Sequence, residues 1–295
     1  MNQNQYSLGA APRVARFGIN TEGRDFFLTD PHGAYDTVIK GMKKVNFDPN
    51  VDRMFGGGDY GDRGADSARA RNFLRQVYVN GTKGNHCQFL IDLYANGAPS
   101  EDVLRWASRQ MGLSWWLTTP EDQRQEVLNE FRKLPIVIEV MTTRGKIGIV
   151  HADVPRGMHW DTFVQKIEEG DQNVIHTALW GRERVAAIDD DGRPVNGGHP
   201  DFDGIEGIDR VFVGHTPQWG GVTRYGNVYA CDSGAIFGEM GLKAEGRLTI
   251  AELTCTTQVL TAPSDAILID IRADNPFAAP KEINNTPFSN YTKPR

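Results

Sequence analysis

The sequence predicts an α/β (α+β) fold in which successive strands deliver polar residues to one edge of the sheet structure and a helical insert covers the middle of the chain. Three observations predict it. Short apolar, β-branched segments alternate with amphipathic ones. Polar, ligand-type residues recur just after strand after strand: Asp30 and His32, Asp59 and Asp62, Asn85 and His86, His151, His215. The stretch 97–134 carries helix starts and a large aromatic content but no strand-like run. Strand ends on one edge of a sheet meet in space, and α/β proteins build their sites there.

The elements follow in order. The first twenty residues are mixed and turn-rich and read as irregular. Asp25 to Thr29 reads as a strand, and Asp36 to Lys44 as a helix with Asp36 as a possible N-cap. Asp52 to Phe55 leads into a glycine-dense turn, Ser67 to Val77 reads as a helix, and Tyr78 to Thr82 as a strand that runs into the helix starting near Cys87. In the insert, Ser100-Glu101-Asp102 and Thr119-Pro120-Glu121 mark helix starts. Trp115 and Trp116 read as core or lid packing. Strands are expected over Ile136 to Met141, Lys146 to Val150, Asp209 to Val213, Asn227 to Cys231 and Arg247 to Leu253. Ile188 to Phe202 reads as a loop, and the Pro- and Asn-containing last thirty residues as a surface-wrapping or disordered tail.

Composition narrows the class. A chain of 295 residues with 39% apolar residues can bury a sizeable core. Its net charge of −6 does not favour nucleic-acid binding by bulk electrostatics. No apolar run is long enough to cross a bilayer, and the N-terminus lacks a basic start and an apolar stretch, so a cytoplasmic protein with no membrane partner is expected. Cys87, Cys231 and Cys255 show no paired spacing, which argues against a disulfide framework or a thiolate zinc module. The sequons at Asn80, Asn284 and Asn290 then read as chance matches.

The chemistry comes from the donors. Asp30, His32, Asp59, Asn85, His151 and His215 offer oxygen and imidazole nitrogen ligands, which suit divalent ions of borderline hardness such as Mn, Fe or Zn. Six are too many for one open tetrahedral site. They fit two ions sharing one carboxylate, an arrangement that lowers the pKa of a water held between them. Arg63 and Arg182 are the expected phosphate clamps, since a guanidinium presents two parallel donors to phosphate oxygens. His86 is a candidate general acid, and Asp62 could hold its imidazole in place. Gly56 to Gly61 matches a dinucleotide-binding glycine pattern, but Asp62-Arg63-Gly64 continues the turn where that motif needs a helix. His159, His176 and His199 read as structural histidines, Asp153 as a support for His151, and Glu183 with Arg184 as a solvated ion pair.

At these residues the sequence resembles the phosphoprotein phosphatase family of metallophosphatases. The family signatures stand here as Asp30-Pro31-His32-Gly33, Gly58-Asp59-Tyr60-Gly61-Asp62-Arg63-Gly64, Gly84-Asn85-His86-Cys87, His151-Ala152-Asp153 and Gly214-His215-Thr216-Pro217. Leu134-Pro135, Trp180-Gly181-Arg182-Glu183-Arg184 and Asp232-Ser233-Gly234-Ala235 look like its bacteriophage lambda protein phosphatase branch. The likeness runs from about Asp25 to Leu253. It implies a metallophosphoesterase fold, a β-sandwich flanked by helices, with a catalytic domain over 1–259, the insert near 97–134 and a tail over 260–295. It implies one metal on Asp30, His32 and Asp59, a second on Asp59, Asn85, His151 and His215, His86 as acid with Asp62 behind it, and Arg63 and Arg182 on the phosphate. The implied function is a protein serine/threonine phosphatase that uses a hydroxide bridging two divalent ions, Mn foremost and Fe or Zn as options, on a phosphorylated protein or peptide. A dinucleoside polyphosphate or cyclic phosphodiester hydrolase, and a phosphoprotein-binding pseudophosphatase, are the alternatives. Three positions depart from the pattern. Thr29 stands for a glycine. Pro31 is expected to bias Asp30 toward extended backbone. Cys87 stands for a glutamate, which predicts looser positioning of Arg63 and a raised KM.

Overall fold

The computed structural model describes residues 11–185, 187–188, 194–195, 204–219, 221–244, 246–253 and 267–272. His199, Cys255, most of the expected 188–202 loop and the tail outside 267–272 lie beyond the described residues.

In the first half, β1 (Val14–Phe17) and β2 (Asp25–Leu28) precede α1 (Tyr35–Lys44). Next come β3 (Arg53–Gly56), a 3-10 turn (Ala65–Arg69), α2 (Ala70–Leu74), β4 (Val79–Gly81) and α3 (Asn85–Leu93). The insert consists of α4 (Glu101–Met111), α5 (Ser114–Thr118) and α6 (Glu121–Arg132). In the second half, β5 (Val137–Thr142) and β6 (Gly145–Val150) precede α7 (Trp160–Glu169) and α8 (Gln172–Trp180). β7 (Ala187–Ile188) and β8 (Pro194–Val195) form their own short antiparallel ladder. β9 (Arg210–Val213), β10 (Thr223–Tyr225), β11 (Val228–Ala230), α9 (Ala235–Glu239), β12 (Arg247–Glu252) and β13 (Ile267–Arg272) complete the order.

Two mixed sheets face each other. One has the order β1-β5-β6-β9-β11-β10 and the other β13-β12-β2-β3-β4. Alternation along the strands builds three cores. Phe27 and Phe55 point between the sheets, against Ile138, Ile147, Ile149 and Phe212. Their neighbours Phe26, Leu28 and Met54 point outward, under α1, α3 and the insert. On the other sheet, Val211 and Val213 point outward under α7 and α8 through Trp160, Phe163 and Ile167. Strands covered on both faces read as continuous apolar runs, which is why Phe26-Phe27-Leu28 and Val211-Phe212-Val213 were legible as strands.

The insert packs as expected: Leu104, Ala107, Trp115, Trp116, Val127 and Phe131 all join the outer core of the β2–β3–β4 sheet. Ser100 caps α4 by accepting from the Val103 amide, and Gly112 ends it at φ 77°. Three expectations change. Val14–Phe17, expected irregular, is a strand held by parallel pairing with β5. Ser67–Val77, expected as one helix, is a 3-10 turn followed by five α-helical residues. Ile267–Arg272, expected within a tail, pairs antiparallel with the whole of β12. His159 caps α7 by accepting from the Asp161 amide, a structural role as expected.

β2, β3 and β4 run parallel, as do β6, β9 and β11. Their C-terminal ends therefore share an edge within each sheet, and the sandwich brings the two edges together.

Candidate active site

Every residue singled out in the sequence except Arg182, which follows α8, lies just beyond one of these ends. Asp30 and His32 follow β2, Asp59, Asp62 and Arg63 follow β3, Asn85 and His86 open α3 after β4, His151 follows β6 and His215 follows β9. They meet around a cavity of about 280 Å³ lined by His32, Asp59, Arg63, Asn85, His86, Arg182 and His215, among others. Asp30 and His151 lie beneath it, 2% and 0% exposed.

The turns that aim these side chains are strained. Non-glycine residues with positive φ include Asp30 (49°), His32 (44°), Asp59 (50°), Asp62 (76°), Arg63 (62°) and His215 (67°), and Asn46 (52°) is the one other among the described residues. Left-handed backbone costs about 1–3 kcal/mol for such residues and persists where packing over-determines it. Here it reverses the chain sharply at each strand end, so that consecutive turns face one point. The value at Asp30 corrects the expected effect of Pro31: the residue is left-handed, not extended. Gly84 is required by close approach, because a Cβ there would overlap the Asp59 carboxylate. Gly58, at φ 105°, leaves room for the His151 ring.

Hydrogen bonds fix the imidazoles. His151 Nδ1 lies 2.7 Å from the Gly57 carbonyl and His32 Nδ1 2.7 Å from the Gly61 carbonyl, so each ring donates there and keeps its Nε2 lone pair for the site. His151 Nε2 then faces Asn85 Oδ1 at 2.8 Å and Asp59 Oδ2 at 3.4 Å. His215 Nδ1 faces the same Asn85 oxygen at 3.0 Å, and its buried Nε2 has no hydrogen-bond partner. His32 Nε2 lies 3.8 Å from Asp59 Oδ2 and 3.9 Å from Asp30 Oδ1. Around His151, Asn85 and Asp59 acceptors thus face acceptors, an arrangement a divalent cation would satisfy, whereas at His32 Nε2 the Arg63 guanidinium supplies a donor. Two clusters have metal-ligand spacing, His32–Asp59–His86 and Asp59–His151–His215, and Asp59 belongs to both.

Protonation reports the same crowding. Burial opposes a charge on His151, but Asp59 and Asp30 outweigh it and raise its pKa to about 9, so a proton competes for the lone pairs a cation would take. Burial, with the Asp59 charge adding to it, pushes Asp30 up to about 6. Burial alone would raise Asp59 too, yet His151, His86 and His32 hold it well below the usual carboxylate range. Burial, reinforced by neighbouring cations, keeps His32 and His215 well below the ordinary histidine value.

The remaining groups complete the cavity. His86 Nδ1 lies 2.5 Å from Asp62 Oδ2, and Arg63 reaches both His32 Nε2 and, at 3.2 Å, His86 Nε2. Arg63 also lies over the Phe237 ring, 5.6 Å from its centroid. Arg182 donates to Thr216 Oγ1 at 3.1 Å and faces the same cavity. Thr29 donates to Asp30 Oδ2 at 2.5 Å, so this departure adds a donor to the carboxylate. Cys87 does not line the cavity. It is fully buried among the outer-core residues that include Tyr35, Tyr60 and Leu90, and burial pushes its thiol up to about 12.

Three contributions escaped the sequence reading. Asp232, just past β11, lines the cavity. Its place after a strand, like the other site residues, was the available signal. Trp115 reaches in from α5 and donates Nε1–H to Asp62 Oδ1 at 2.9 Å. Arg184, expected in a solvated pair with Glu183, is 3% exposed and bonds Asp153 through both its amide, at 2.9 Å, and its Nε, at 3.1 Å. That pair ties the turn after His151 to the segment carrying Arg182. Removing one partner of a buried pair leaves an uncompensated charge, so Arg184→Met should lower the unfolding free energy by about 3–5 kcal/mol. Urea unfolding checks this, and a loss below about 1 kcal/mol would place the pair among weak surface bridges.

Comparison with known proteins agrees with this geometry. Over 227 residues the chain is 31% identical to Serine/threonine-protein phosphatase 1 of Salmonella typhimurium, covering 76% of this chain and 89% of that protein. It is 27% identical over 146 residues to the symmetrical bis(5'-nucleosyl)-tetraphosphatase of Baumannia cicadellinicola, 49% of this chain and 47% of that one. Its fold is similar to that of a protein serine/threonine phosphatase from Saccharomyces cerevisiae, with a TM-score of 0.60 at 13% identity, over 89% of this chain and 84% of that one. Among the described residues no helix is long and apolar enough to cross a membrane. The calcineurin-like phosphoesterase family matches over residues 26–219, which span the strand-end residues from Asp30 to His215, and the chain belongs to that family.

Proposed function

We propose that this chain is a metal-dependent protein serine/threonine phosphatase. The observation that carries the reading is the placement of Asp59 in both candidate metal clusters, beside the His86–Asp62 pair and two arginines on one cavity. Asp30, His32 and Asp59 would hold one divalent ion, and Asp59, Asn85, His151 and His215 the other. Donor type admits Mn, Fe or Zn, and Mn is the ion we assign. When bound, such a pair supplies a hydroxide at neutral pH and neutralises charge on the phosphate oxygens.

The chain's own groups do the rest. Arg63 and Arg182 orient the phosphate by donating to its oxygens; Arg63 is half-buried, where such bonds are stronger, and Arg182 is exposed on the same cavity. As the phosphorus–oxygen bond breaks, His86 Nε2 donates a proton to the leaving serine or threonine oxygen. Asp62 accepts from Nδ1 of the same ring, which keeps Nε2 aimed at the cavity. His86 also satisfies the spacing of a metal ligand. We assign it to proton transfer because Asp30 supplies an oxygen near His32 and His86 is already held by Asp62 and Arg63.

The similarity to a Salmonella protein phosphatase over most of both chains favours a phosphoprotein substrate, while the shorter match to a nucleosyl tetraphosphatase defines the rival. Turnover of phosphoserine and phosphothreonine peptides, p-nitrophenyl phosphate and diadenosine tetraphosphate with added Mn decides between them. The phosphopeptides should give a kcat/KM at least about tenfold above the dinucleotide, the scale on which a change of substrate contacts is felt. The reverse order would make the chain a dinucleoside polyphosphate hydrolase, and metal-independent silence on all four would make it a pseudophosphatase.

A further inference from the structure

The helical insert touches the catalytic loop at one well-defined place. Trp115 Nε1 donates to Asp62 Oδ1 at 2.9 Å, while Asp62 Oδ2 meets His86 Nδ1 at 2.5 Å. Indole, carboxylate and imidazole therefore form a continuous chain, with Trp115 5% exposed and Asp62 fully buried. A second bond crosses this junction in the opposite direction, from the Arg63 amide to the Gly112 carbonyl at 2.8 Å. Gly61 leaves room for the indole, since a Cβ there would lie 3.1 Å from its ring. The segment 112–115 thus grips residues 61–63.

A carboxylate bonded through one oxygen still turns about its Cβ–Cγ bond, a soft torsion. Bonding the second oxygen to a buried indole removes that freedom. We infer that Trp115 is a positioning residue for proton transfer: it locks the Asp62 carboxylate plane, and through it the His86 ring, so that Nε2 stays aimed at the leaving oxygen. The inference rests on the proposed reading of the site as a phosphomonoesterase with His86 as acid. It goes further in assigning the insert a part in the reaction, where sequence alone made Trp115 a packing residue.

The role predicts a dependence on the leaving group that packing does not. An alkoxide needs a proton to depart, whereas p-nitrophenolate is stable without one, so only the first reaction depends on how His86 is aimed. The experiment compares the parent chain with Trp115→Phe and with benzothienylalanine at position 115, which keeps the bicyclic shape and replaces the N–H by sulfur. In both, kcat on a phosphoserine peptide should fall about tenfold, a fraction of what a general acid contributes. Turnover of p-nitrophenyl phosphate should change less than about twofold by the same reasoning. The benzothienylalanine protein should stay folded at the assay temperature, although loss of the buried donor to Asp62 lowers its thermal midpoint. In an Asp62→Asn background Trp115→Phe should cost nothing further, because the two residues act in series. Equal losses on both esters, or full phosphoserine turnover by the benzothienylalanine protein, would overturn the role. A parent chain that hydrolyses neither ester would instead overturn the reading beneath it.

Discussion

Asp59→Asn is expected to abolish phosphoester turnover, lowering kcat by at least about 10³-fold on every substrate, because this one carboxylate belongs to both candidate metal clusters. The change is nearly isosteric, so the fold survives it. It removes the charge that His151, His86 and His32 face from three sides, and that charge is what raises His151. The amide also cannot bridge two cations as a carboxylate does. The purified variant should therefore hold fewer metal ions per chain than the parent and should not regain turnover in excess Mn. Retention of even a tenth of the parent kcat, with both metals bound, would mean that Asp59 is not shared.

His86→Asn produces a loss of comparable size by a different route. Removal of a general acid costs about 10²–10⁴-fold on substrates whose leaving group needs a proton. The loss should be large for phosphoserine peptide and much smaller for p-nitrophenyl phosphate. Metal content separates the two roles the geometry allows, since His86 Nε2 lies 3.9 Å from Asp59 Oδ2 and also satisfies ligand spacing. As an acid its replacement leaves metal stoichiometry at the parent value. Loss of one ion per chain together with equal losses on both esters would make His86 a ligand.

Much of the site was legible because its chemistry is local. Asp30-Pro31-His32, Asp59 through Arg63 and Asn85-His86 are short turns at the ends of apolar runs, and a parallel strand buried on both faces announces itself in sequence. The first and last helices of the insert were legible from Ser100 and Pro120 at their starts. What escaped depends on distant partners. Val14–Phe17 is only half-buried and becomes a strand through β5, more than a hundred residues away. Ile267–Arg272 depends in the same way on β12. Arg184 reads as solvated in sequence because nothing nearby names Asp153 as its buried partner. The Trp115 bond joins residues 53 positions apart, and an indole carries no sign of where its N–H will point. The left-handed turns were also hidden, since positive φ at Asp, His and Arg is imposed by the surrounding packing rather than preferred by the residues.

In the proposed site, residues from both sheets close on two cations through one carboxylate. Anomalous diffraction from crystals grown with manganese and phosphate tests it most directly. Two peaks about 3.5–4 Å apart, the spacing of a dinuclear site, should appear with Asp59 touching both, His151 and His215 on one, and Arg63 and Arg182 on the phosphate. A single peak, or two peaks that do not share Asp59, would contradict the account.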